Sequence, residues 1–138
     1  MQRDAVGFAG EWLVFQRLER AYADTFGEDC WVSTYRQLVF DGPGDDSLGY
    51  DFLVPARGGP LMFEVKASQG AAGEIRLGES EVRQAQANAR NRRWRLVVVE
   101  NALNTNRRRL VLPNPFSPSS RGFYRFAGQG LRLQFNPV

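Results

Sequence analysis

Two short apolar runs, "GYDFLVP" (49–55) and "LMFEVKAS" (61–68), stand either side of "ARGG", and they constrain the fold more than any other part of the chain. Side chains alternate across a strand, so Glu64 and Lys66 project from one face about 7 Å apart while Leu61, Phe63 and Val65 point the other way. In the earlier run Tyr50, Phe52 and Val54 form the apolar set and Asp51 lies opposite them. A hairpin is the natural connection. If the two apolar sets share a face, the loop holds an even number of residues, either 58–59 or 56–59. Either register sets Asp51 directly across from Lys66 or Glu64. The hydrophobic pattern therefore forces two carboxylates and a lysine into one patch.

Two carboxylates a few ångströms apart repel each other unless a cation sits between them, and an all-oxygen site with open positions suits Mg²⁺, with Mn²⁺ expected to substitute. A lysine beside the metal would orient or deprotonate an attacking water and offset charge building on a phosphate. Those are the requirements of phosphodiester hydrolysis. The E-x-K triplet alone is weak, since it arises by chance about once in two chains of this size; a solvent-facing, salt-bridged strand pair is the alternative. Two further features favour a site. Glu11 falls inside the apolar arc of the first helix, between Phe8 and Phe15, where a carboxylate is costly to bury without a partner; a metal cation, or a capping or edge salt bridge, would satisfy it. Arginines cluster in "ARNRRWR" (89–95) and "NRRRL" (106–110). Arg90, Arg92 and Arg93, together with Lys66, are the candidate contacts to a nucleic-acid backbone, an ordinary solvated face being the alternative.

Around this patch the chain reads as α/β, with a mixed sheet. Phe8, Trp12, Phe15, Leu18, Tyr22 and Phe26 recur at helical steps over 4–26. Residues 30–40, "CWVSTYRQLVF", are rich in β-branched and aromatic types and predict a strand. After the Gly-rich 68–74, residues 80–91 predict a second, shallowly packed helix with Val82, Ala85 and Ala89 on one side. "WRLVVVEN" (94–101) predicts a central strand covered on both faces. Further on come a short strand breaking into a Pro/Ser loop and one or two closing strands with alternating Leu131, Leu133 and Phe135.

A chain of 138 residues with 43% hydrophobic content suits one domain spanning 1–138, with a core over about 5–101 and a C-terminal extension over 102–138. The sequence contains no histidine, which excludes Ser-His-Asp and Cys-His catalysis and histidine metal sites. Cys30 stands alone, so no internal disulfide forms, and beside Trp31 it reads as a packed residue. No apolar run is long enough to span a bilayer, and the first ten residues lack the layout of a secretion signal. The cytoplasm is the expected compartment, with no membrane partner.

"GYD" (49–51) and "FEVKAS" (63–68), preceded by a helix bearing "GEWLVFQRL" (10–18), resemble the PD-(D/E)xK nuclease superfamily, and within it the NO VEIN C-terminal-like domain of unknown function. The later pieces "LGESEVRQA" (77–85) and "WRLVVVEN" continue the likeness, which covers about 7–101. The resemblance implies a restriction-endonuclease-like α-β-β-β-α-β core, with Asp51 and Glu64 as metal ligands and Lys66 as the catalytic lysine. It matches Glu11 to a helix-borne acidic residue near the metal and Glu81 to the acidic position of the second helix, Gln84 being the weaker accessory candidate. Gly78 departs from the pattern, where Ser or Thr is usual, and residues from 104 onward have no counterpart in it. Such domains usually accompany a helicase or ATPase domain or subunit, and a homodimer is compatible.

The leading expectation is a Mg²⁺-dependent endonuclease acting on DNA, with RNA as the alternative substrate, in a defence, restriction or repair setting. A catalytically silent module of the same fold, binding nucleic acid or protein in a larger assembly, is the second. An interaction domain with no nucleic-acid role ranks last.

Overall fold

The computed structural model describes residues 2–126 and 131–136. Helix α1, Gln2–Ala21, leads the chain. Its three- and four-residue apolar steps give it one greasy side: Val14, Phe15 and Leu18 are buried, while Phe8, Trp12 and Tyr22 pack at the margin. The helix stops five residues short of the expected end, and Phe26 is carried by a turn closed on the Tyr22 carbonyl.

Strands β1, Phe52–Val54, and β2, Leu61–Ala67, form the expected antiparallel hairpin. They are followed by β3, Glu74–Leu77, and helix α2, Glu79–Ala87. Then come β4, Trp94–Glu100, β5, Arg108–Leu112, β6, Tyr124–Phe126, and β7, Leu131–Phe135. Two sheets result, ordered β1-β2-β4-β5 and β3-β7-β6. The first is mixed, because β4 runs parallel to β2 and antiparallel to β5.

Both faces of that sheet are covered, which is why β4 reads as an almost unbroken apolar run. On one face, Phe63, Val65, Val97 and Val99 pack under α1. On the other, Met62, Leu96 and Val98 pack against Ile75 and Leu77 of β3, Ala85 of α2 and Leu133 of β7. Helix α1 sits close to the sheet at Gly10, where a Cβ would come within 2.6 Å of the Ala67 Cβ. No described helix is long and apolar enough to cross a membrane.

Several expectations need correction. Residues 30–40 form no strand: a single bridge joins Trp31 to Phe52, flanked by 3₁₀ turns at Glu28–Cys30 and Thr34–Leu38. The aromatic residues that suggested a strand instead fill a cluster, with the Trp31 ring 5.4 Å from Phe15 and 5.6 Å from Phe52. Arg36 is buried and turns its guanidinium onto the carbonyls of Asp41 and Gly42, closing the following turn. The third strand of the α-β-β-β-α-β order is therefore β3, whose partner β7 lies more than fifty residues onward. Tyr50 does not join Phe52 and Val54 but packs with the second cluster. The second helix ends at Ala87, so residues 88–91 are turn rather than helix.

Candidate active site

The hairpin register pairs Phe52 with Phe63 and Val54 with Leu61, which is the longer-loop alternative and carries Asp51 level with Glu64. Asp51 is fixed there by its backbone and its side chain together. Its N–H donates to the Phe63 carbonyl at 2.8 Å, and its Oδ2 accepts the Val65 N–H at 2.8 Å. The turn into it depends on Gly49, which holds φ +87° and leaves no room for a Cβ against the Ser80 carbonyl. The indole of Trp94 donates to the Gly49 carbonyl at 2.9 Å and fastens that turn to β4.

Glu11 of α1, Asp51, Glu64 and Lys66 of the hairpin, Arg76 of β3 and Glu81 of α2 all line one cleft of about 570 Å³. Glu64 is 4% exposed and Glu11 6%. Burial, and then the charge of Asp51, push both carboxyls well above the usual range. Burial likewise raises Asp51 to about 7, against the opposing pull of the Val65 N–H and Lys66. The face carrying these groups is thus a core face with a cleft in it, not the solvent side of a strand pair.

Lys66 is the only lysine in the sequence. Its Nζ lies 2.7 Å from Glu81 Oε1 and 3.3 Å from Glu64 Oε2. Burial alone would lower its pKa, but Glu64 and then Glu81 outweigh that and hold it above the ordinary value. Lys66 is therefore an ammonium clamped between two carboxylates. Glu81 Oε1 also accepts the Gly78 N–H at 3.1 Å, which ties the clamp to the start of α2. Gly78 is the N-cap of α2 and has no side chain to accept an N–H of the first turn, so only the Glu81 half of the cap is made.

Glu11 forms no salt bridge with a described residue. Its Oε1 instead accepts the Trp31 indole N–H at 2.9 Å and the Ser33 hydroxyl. Two neutral donors satisfy one oxygen, and burial keeps the group easily protonated. Gln84 is not in the cleft lining: its side chain packs by Gly49 and Asn88.

Arg90, Arg92 and Arg93 do not reach the cleft. Met62 pairs with Trp94 across the parallel strands, so the arginine loop lies at the start of β2 and Lys66 at its end, roughly 13 Å along the strand. Arg93 donates to the Gly58 carbonyl at the closed end of the hairpin. Sequence reasoning missed Tyr35, Asp46, Tyr50, Glu74 and Arg76, all of which line the cleft. Asp46 accepts the Thr34 N–H and hydroxyl at 2.9 and 2.7 Å, a loop-to-loop contact with no periodic signature.

The chain matches, over residues 14–112, the family model described as Protein NO VEIN, C-terminal. The chain belongs to that family. The NO VEIN C-terminal match takes in Asp51, Glu64, Lys66 and Glu81. It begins after Glu11 and, contrary to the expected span, continues through β5. No curated protein and no solved structure matches the chain.

The donor set suits a hard divalent cation. Asp51 Oδ1 and Glu64 Oε1 accept no hydrogen bond from described residues, and a dication between the two groups would relieve the repulsion by Asp51 that adds to burial in raising Glu64. Among the described residues no three acidic groups form a closed metal cage. Two protein ligands, with water and substrate oxygens completing the shell, is the arrangement Mg²⁺ commonly takes.

Proposed function

We propose that the cleft is the active site of a Mg²⁺-dependent nuclease of PD-(D/E)xK organisation, hydrolysing phosphodiester bonds of DNA. The observation that carries this reading is the convergence of Asp51, Glu64 and Lys66 in one cleft with Glu11 beside them. Asp51 and Glu64 would hold the ion, through the oxygens that accept no hydrogen bond from described residues. The bound ion supplies Lewis acidity to the phosphate and lowers the pKa of a coordinated water.

The chain's own groups account for the rest. Lys66, kept protonated by Glu64 and Glu81, orients the water and offsets charge developing on the phosphate rather than removing a proton. Glu11 lines the cleft with one oxygen held by Trp31 and Ser33, and its raised pKa suits it to take the proton. Arg76, on the β3 wall, offers a fork to a neighbouring phosphate.

Cleavage of supercoiled plasmid in Mg²⁺, absent in EDTA and reduced about a thousandfold in Asp51→Ala and Lys66→Ala, is the expected result. Undiminished cleavage in both variants overturns the assignment. The double engagement of Lys66 favours a second reading, a silent nuclease-fold module that binds nucleic acid or protein. In that case Mn²⁺ uptake would not depend on Glu64.

A further inference from the structure

The opposite edge of the sheet carries charge of the other sign. Strand β5 is an edge strand, with Arg109 paired to Val99 and Val111 paired to Val97. Val97 and Val99 belong to the cluster under α1, so Arg109 and Val111 project on the α1 side of the sheet, as does Arg95 two residues before Val97. Helix α1 does not cover this margin: Val111 is 65% exposed. Arg17 of α1 joins Arg107 and Arg109 around a cleft of about 340 Å³. A second cleft, of about 370 Å³, lies at the far end of β5, where Arg92, Arg95 and Val111 line it together with Trp94 and Leu112 of the other face. Val111 stands two residues from Arg109, which is about 7 Å along one face of the strand. The two clefts thus follow one another along the β5 edge, the first at its start and the second at its end.

No carboxylate lines either cleft, and none of the five arginines forms an ion pair with a described residue. Arg17 has no acidic neighbour at helical spacing, since positions 13, 14, 20 and 21 hold Leu, Val, Arg and Ala. Like charges gathered without counterions are stabilised by an anion, and guanidinium forks match phosphate oxygens. The arginines are spread along the β5 edge with no acidic residue in either cleft, which matches a row of phosphates better than a single one.

We infer that the β5 edge docks a nucleic-acid backbone, on the edge of the sheet away from the acidic cleft, through charge and not through base contacts. This surface stands whether or not the cleft cuts. Binding of the full chain to a fluorescein-labelled 20-base-pair duplex in EDTA, followed by anisotropy from 50 to 200 mM KCl, tests it. Arg17→Ala/Arg107→Ala/Arg109→Ala should weaken binding at least tenfold at low salt and reduce the salt slope by about three. A charge-matched control off the strip, Arg57→Ala/Arg83→Ala/Arg121→Ala, should change affinity less than twofold, and Arg107→Lys/Arg109→Lys should retain most of the salt slope. Equal losses in strip and control variants overturn the proposal, as does wild-type binding to phosphatidylserine vesicles but not to DNA. Cleavage that persists in the strip variants without loss of DNA affinity removes the docking surface and leaves the cleft assignment intact.

Discussion

At the β1–β2 edge of the sheet, Glu11, Asp51 and Glu64 are drawn into a cleft where burial pushes all three carboxyls up and the charge of Asp51 pushes Glu11 and Glu64 further. At the β5 edge, Arg17, Arg107 and Arg109 stand in solvent with no ion-pair partner among the described residues. The first edge concentrates charge in a low-dielectric setting, where a dication or a proton has a large effect. The second spreads charge along a strand, where each arginine contributes little and the sum matters. Chemistry belongs to the former kind of surface and long-range attraction to the latter.

The comparison breaks most decisively through activity. Glu64→Ala should abolish cleavage of plasmid DNA, about a thousandfold or more, while the strip triple variant should retain turnover once DNA is saturating; kcat measured for both checks the contrast. Next in size is stability. Trp31→Ala removes a fully buried ring and one of the two donors to Glu11, and denaturant unfolding should register a loss of about 3–5 kcal/mol. Gly10→Val would drive a side chain into Ala67, lifting α1 from β2 at a cost of about 1–3 kcal/mol. Exposed strip arginines replaced by alanine should stay within about 0.5 kcal/mol of wild type.

The smallest effect concerns pH. Asp51, Glu64 and Glu11 all have native pKa values above their ordinary ones, Asp51 at about 7, so the native chain holds protons that the unfolded chain releases once pH rises through the ordinary carboxylate range, about 4. Stability from these groups is present below that range and lost as pH rises from it through the native values. Lys66 acts in the other range, since its raised pKa removes stability only at alkaline pH. Thermal melts in EDTA should give a lower Tm at pH 8 than at pH 5, and Asp51→Asn should shrink the difference.

The part of this molecule that could be read from sequence was the part governed by period. Alternation in 49–68 brought Asp51, Glu64 and Lys66 together before any coordinates, because a one-residue slip would have exposed Phe63 and Val65. The apolar run at 94–99 likewise announced a strand covered on both faces. Residues 30–40 misled because Trp31, Ser33 and Arg36 are spent on tertiary contacts, two of them on Glu11, and aromatic content mimicked a strand. Strand β3 was hidden because four residues at the end of a Gly-rich stretch acquire their partner only at Leu131–Phe135. The arginines of 90–93 were visible as a cluster, but the parallel pairing of β2 with β4 carries them away from Lys66.

Everything assigned to the cleft rests on Asp51 and Glu64 sharing a cation. A crystal of the full chain soaked in Mn²⁺ at pH 7.5 measures this directly by anomalous scattering. The account predicts a peak within bonding distance of a carboxylate oxygen from each residue, lost in Glu64→Ala. A peak elsewhere, or none between these two groups in a well-ordered cleft, contradicts it.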